Sequence, residues 1–182
     1  LVRSRGLGDV YKRQAQSIRL HSLEYRDVRT YIIAALFVVG NVVLPQICHL
    51  VPGGGLTWLP IYFFTLVGAY KFGWRVGVIT ALMSPLINSM MFGMPPVAML
   101  PIITMKSLIL AATASCFAHK FNRLSIIVIL GIVISYQLIG TAVEALMINS
   151  FSAALSDLTT GLPGLAFQVI GGYLTIRYIL NK

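Results

Sequence analysis

An all-α integral membrane protein, folded as a compact bundle of six transmembrane helices with both termini cytoplasmic, is the architecture this sequence predicts. Three observations predict it. Of 182 residues, 57% are hydrophobic and only 10% are charged, and the mean hydropathy is +0.84, far from the values of ordinary soluble domains. From residue 30 onward the chain divides into six apolar segments, most of them near the roughly 20 residues that a helical span needs. The basic residues crowd into every second gap between those segments, the asymmetry that the positive-inside rule describes.

Residues 1–14, LVRSRGLGDVYKRQ, are basic and glycine-containing and lack the apolar core of a signal peptide. They read as an extraneous, adaptor-like leader, expected to lie outside the fold. Residues 15–29 are polar with Leu20, Leu23 and Val28 interspersed, the pattern of a short cytoplasmic or interfacial lead. The remainder, 30–182, is expected to be one six-helix transmembrane domain, with spans near 30–44, 56–70, 74–92, 97–119, 124–148 and 158–179. The first two are short for a crossing, so the first helix is expected to run on toward Leu50 or the following stretch to dip into the bundle.

Arg19, Arg26 and Arg29 precede the first span, Lys71 and Arg75 lie between the second and third, Lys120 and Arg123 between the fourth and fifth, and Arg177 and Lys182 at the end. These sets share one side of a six-span bundle, and the opposite loops contain no Lys or Arg. That side is cytoplasmic by the positive-inside rule. The formal net charge of +9 is therefore a topology signal, reinforced by the leader, and gives no reason to expect a nucleic-acid partner. Trp58 and Tyr62 fall near the outer interface, and Tyr25, Tyr31, Tyr70, Trp74, Tyr173 and Tyr178 near the inner one, as aromatic belts do.

Ionisable groups inside a membrane cost at least about 2.5 kcal/mol each on insertion scales. Two stand out. Lys106 lies near the middle of the fourth segment and Glu144 toward the outer end of the fifth, and an ion pair between them requires the long Lys stem to reach outward. Uncharged polar residues gather at a similar depth: Asn41, Asn88, Asn149, Gln137 and Gln168. Gln137, Thr141 and Glu144 follow i, i+4, i+7 spacing, which puts them on one stripe of a helix and makes a natural pocket wall. Each amide alone is more commonly helix-to-helix glue. Their shared depth points to a binding site in the outer half of the bundle.

The stretch from Pro45 to Trp58, PQICHLVPGGGLTW, joins the first two spans and combines Cys48 and His49 with Gly53, Gly54 and Gly55. The triple glycine lacks the Lys-Ser/Thr of a phosphate loop and joins no strand to a helix. Adjacent Cys48 and His49 without a second ligand pair make a weak metal signal, so no metal and no cofactor is expected. Catalysis by Cys48 lacks a well-placed base, since His21 and His119 fall on the cytoplasmic side; no catalytic residue is assigned. A mobile gate over the outer half is the reading that remains. A second outer stretch, residues 150–164, SFSAALSDLTTGLPG, is polar and glycine-containing enough to move with it.

With LPQICHLVPGGGLTWLPIYFFTLVGAYKFGW and SPLINSMMFGMPPVAMLP, together with size and charge topology, residues 30–182 resemble the substrate-binding S components of energy-coupling-factor (ECF) vitamin transporters. The resemblance implies a six-helix bundle that captures a vitamin-like molecule from outside and holds it in the outer half under the first outer loop. It implies partners as well: the lipid bilayer, a transmembrane coupling subunit and two cytoplasmic ATPase subunits, in the cytoplasmic (inner) membrane of a bacterium. The family's Ala-x-x-x-Ala docking patch on the first helix is absent, because Ala34 is followed four residues later by Val38 and Ala35 by Val39.

On this reading the chain is a transport subunit and not an enzyme. Lys106 and Glu144 orient polar groups of the ligand. Asn41, His49, Asn88, Gln137, Thr141, Asn149 and Gln168 contact it, Trp58 and Tyr62 pack on a ring, and Pro45, Cys48, Gly53, Gly54 and Gly55 form the gate. The alternative is an intramembrane enzyme or channel-like bundle using Cys48, His49 and Glu144.

Overall fold

The computed structural model describes residues 23–179, so the expectations for residues 1–14 and 15–22 lie outside the described residues. The described chain is all-helical. Helix α1 (Val28–Cys48) begins where the Asp27 side chain accepts a hydrogen bond from the Arg29 amide at 2.9 Å, a side-chain N-cap. Its buried residues Thr30, Ala34, Phe37, Asn41 and Pro45 recur at helical spacing, so one stripe faces inward and the rest of the helix faces out.

A short helix, α2 (Gly54–Trp58), and a 3₁₀ turn (Pro60–Tyr62) lead into α3 (Phe63–Phe72). Thr65, Leu66, Val67, Gly68, Ala69 and Tyr70 are all buried, because α1, α4, α5 and α8 pack around α3. A continuous apolar run of this kind suits a central helix that meets neighbours on every side.

Helix α4 (Trp74–Phe92) follows after Gly73 alone, whose φ of 92° reverses the chain where a side chain is disfavoured. Gly77 then lets α4 approach α3 closely, since a Cβ there would lie 2.5 Å from that of Ala69. After a 3₁₀ turn (Val97–Met99) come α5 (Leu100–Phe121), α6 (Ile126–Ile148), α7 (Phe151–Thr160) and α8 (Leu162–Leu174), ending in a π turn (Thr175–Ile179).

Four segments are long and apolar enough to cross a membrane: Val28–Cys48, Trp74–Phe92, Val97–Phe121 and Ile126–Ile148. Their outward faces carry large apolar side chains such as Leu36, Met90, Ile127, Ile134 and Leu146, the surface of a membrane protein and not of a soluble one. The 10 residues of α3 rise only about 15 Å. The expected sixth segment, 158–179, is broken at Gly161 into the end of α7 and the whole of α8.

Basic residues meet at one end of the bundle. Arg75 donates to the Leu23 carbonyl at 3.1 Å and lies 5.3 Å from the centre of the Tyr25 ring, while the Tyr70 hydroxyl donates to the Arg123 carbonyl at 2.6 Å. The lead into α1 and the α3–α4 and α5–α6 junctions are thereby tied together. The opposite end holds the C-termini of α1, α4 and α6, the N-terminus of α5, and α7.

Candidate functional site

Helix α5 starts with Pro101 in its first turn, where a missing N–H costs nothing. Lys106 follows near that end of the helix, 3% exposed. Antiparallel α6 brings Glu144, 6% exposed, to the same level from its last turns. Lys106 thus has no need to reach along the bundle, as a mid-segment position would require. Its stem lies against Gly140, where a Cβ would come 3.1 Å from Lys106 Cγ.

Lys106 Nζ lies 2.6 Å from Glu144 Oε2 and 2.8 Å from Asp157 Oδ2. The pair read from sequence is a triad whose third member, Asp157, comes from α7. Buried charges are tolerable only when paired and hydrogen-bonded. One ammonium between two carboxylates leaves a formal excess of one negative charge.

The triad forms part of the wall of a cavity of about 560 Å³. Buried Tyr62, Asn88, Lys106 and Glu144 face its inner part, and exposed His49, Gly53, Leu56, Met94 and Thr160 its rim. Ile102, Ile103 and Ile148 supply apolar wall, as do Pro95, Pro96 and Met99 from the α4–α5 connection. Helix α7 contributes Ala153, Ser156, Asp157 and Thr160, an i, i+3, i+4, i+7 stripe that gives one helical face to the cavity. A volume of this size with a few convergent polar groups is typical of small-molecule sites.

The expected site residues divide. Lining the cavity are His49, Tyr62, Asn88, Lys106 and Glu144, with Pro45, Gly53 and Gly55 from the expected gate. Asn41, Trp58, Gln137, Thr141, Asn149 and Gln168 lie elsewhere, as do Cys48 and Gly54. Asn149 is exposed and ends α6 in a left-handed conformation, φ 52°, a role asparagine fills readily. Trp58 packs edge-on against Phe167, ring centres 6.3 Å apart. Gln168 accepts from the Tyr136 hydroxyl at 2.9 Å while its Nε2, like Thr141 Oγ1 and Ser107 Oγ, is buried without a partner.

Asn41 is wholly engaged in holding helices together. Its Nδ2 donates to Thr65 Oγ1 at 3.0 Å and Ser84 Oγ at 3.1 Å, and its Oδ1 accepts from the Phe64 amide at 3.1 Å, one of the unpaired donors that any helix start presents. Asn88 repairs a defect in α1. Pro45 has no N–H for the carbonyl four residues back, that of Asn41, and Asn88 Nδ2 donates to that carbonyl at 2.9 Å. Its second bond, to the Ser84 carbonyl, is 3.0 Å.

The stretch from Pro45 to Trp58, expected as a loop, is largely helical. Pro45 to Cys48 complete α1, Gly54–Trp58 form α2, and the turn between is short. Its glycines have specific uses. Gly53 takes φ 73°, a Cβ on Gly54 would strike the Cys48 carbonyl oxygen at 2.1 Å, and one on Gly55 would strike His49 Nε2 at 2.2 Å. The second expected mobile stretch contains α7, capped by Ser150, whose hydroxyl accepts from the Ala153 amide at 3.3 Å. That Ser, the Gly161 beyond the helix and the polar stripe ending at Thr160 are the sequence signals that mark Asp157 as a wall residue.

Among the described residues no three His, Cys, Asp or Glu side chains gather to hold a metal. Comparison with models of protein families, with curated proteins and with solved structures finds no match.

Proposed function

We propose that this chain is the membrane-embedded substrate-binding subunit of an ECF-type importer for a vitamin-like micronutrient, bound in the cavity beneath α2 and α7. The observation that carries the reading is the Lys106–Glu144–Asp157 triad, buried at Lys106 and Glu144 and half-buried at Asp157, on the wall of a cavity of about 560 Å³, at the end of the bundle away from the basic junctions. With those junctions cytoplasmic, the cavity faces outward. Helix α3 and the turn before it, and α8 with its π turn, are then the second and sixth spans; α3 is short because it packs inside the bundle, while α8 keeps one face outward at Leu162, Ile170 and Leu174. The proposed setting is a bacterial cytoplasmic membrane, and the proposed partners are a transmembrane coupling subunit and two ATPase subunits.

The test is to extract small molecules from the purified protein and identify them by mass spectrometry, then to measure uptake of the compound found with and without co-expressed ATPase subunits. One compound retained by the wild type, lost from Glu144→Ala and taken up only with the ATPases is the expected outcome. Uptake that proceeds without them would overturn the importer assignment.

A further inference from the structure

We infer that the cavity selects a ligand carrying a single positive charge on an apolar or aromatic body. The inference rests on the proposed binding role and adds the charge class of the substrate. Lys106, Glu144 and Asp157 are the charged residues among those lining the cavity, with His49 counted neutral, and they sum to one net negative charge. An excess charge out of water is costly and attracts an opposite charge strongly. A monocation brings the site to neutrality, whereas an anion would double the excess.

The geometry supports the same sign. Lys106 is already engaged by one oxygen of each carboxylate, Glu144 Oε2 and Asp157 Oδ2, so its charge is not open to an incoming anion. The second oxygen of each carboxylate remains for a donor from the ligand. Asp157 is the accessible member, its side chain 34% exposed against 8% for Glu144, so an ammonium or amidinium group entering from the rim meets Asp157 first. A metal cation fits poorly, because the Lys106 ammonium occupies the position between the carboxylates where such an ion would sit. Tyr62, Ile102, Ile103 and Ile148 offer a largely apolar wall for the rest of the molecule.

Three probes with one ring system and different charge test this: tryptamine, tryptophol and indole-3-acetate, at matched concentrations, read as shifts in the melting temperature of the detergent-purified protein. Tryptamine should stabilise the wild type most and indole-3-acetate least, with about a tenfold difference in apparent affinity between tryptamine and tryptophol. Asp157→Asn, which keeps the Lys106–Glu144 pair, should erase that difference. Preference for tryptophol or indole-3-acetate, or a tryptamine preference unchanged in Asp157→Asn, would overturn the charge inference and leave the binding role standing. Absence of any shift from all three would overturn both.

Discussion

The bundle contains two buried polar clusters, one centred on Asn41 and one on Lys106, and they differ in what their atoms have left to do. Around Asn41 the side-chain amide is satisfied within the protein by Thr65, Ser84 and the Phe64 amide, and Asn88 fills the acceptor that Pro45 leaves open. Around Lys106 a single ammonium serves two carboxylates, and the excess charge faces a cavity. Residue type does not separate glue from site, since both clusters are costly polar groups in an apolar bundle. Saturation does: the polar atoms of the Asn41 side chain are all engaged within the protein, with neighbouring Asn88 reaching the cavity wall, whereas the Lys106 cluster is open toward space large enough for a ligand.

Removing the cation should have the largest effect. Lys106→Met strands two carboxylates beside each other and is expected to cost about 3–5 kcal/mol of stability, measured by unfolding in detergent. Adding Glu144→Gln and Asp157→Asn should recover most of that stability, because a fully neutralised buried cluster is tolerated, without recovering ligand binding. In the closed cluster, Asn41→Leu leaves the Phe64 amide without its acceptor and is expected to cost about 2 kcal/mol. Ligand affinity of the folded fraction should stay unchanged.

Asn88→Leu is expected to cost about 1–2 kcal/mol, and less in a Pro45→Ala background, where the residue 45 amide can bond the Asn41 carbonyl itself. A double-mutant cycle reads that coupling directly; additive effects would show that Asn88 is not repairing the proline. The smallest effect belongs to Thr141→Val, expected within about 1 kcal/mol of wild type or slightly stabilising, since Thr141 Oγ1 is buried without a partner.

The contrast between the clusters also explains what is legible in the sequence. Charges in an apolar chain must find partners, and Lys106 and Glu144 are the conspicuous ionisable residues, so residue type marks them as candidates for each other, while the segment bounds place them at different depths and hide how directly they meet. The bounds expected for 74–92 coincide with α4 because Gly73 and Gly93 punctuate it. Amides carry no such compulsion. Asn41 bonds residues 24 and 43 positions away, and shared depth in the membrane cannot tell that arrangement from ligand contact.

Asp157 is hidden for a different reason. It lies in a polar stretch that reads as loop by composition, although Ser150 caps it and its cavity-facing residues keep helical spacing. The triple glycine misleads in a similar way, suggesting looseness where Gly54 and Gly55 admit the Cys48 carbonyl and the His49 ring.

The most direct test of open against closed is to titrate the compound extracted from the wild type into Glu144→Gln and Asn41→Leu proteins, with the melting temperature of each recorded alongside. Glu144→Gln is expected to lose most of its affinity with a modest change in stability, while Asn41→Leu melts lower and binds as the wild type does. Wild-type affinity in Glu144→Gln, or a larger loss of affinity in Asn41→Leu, would contradict the contrast between the open and closed clusters.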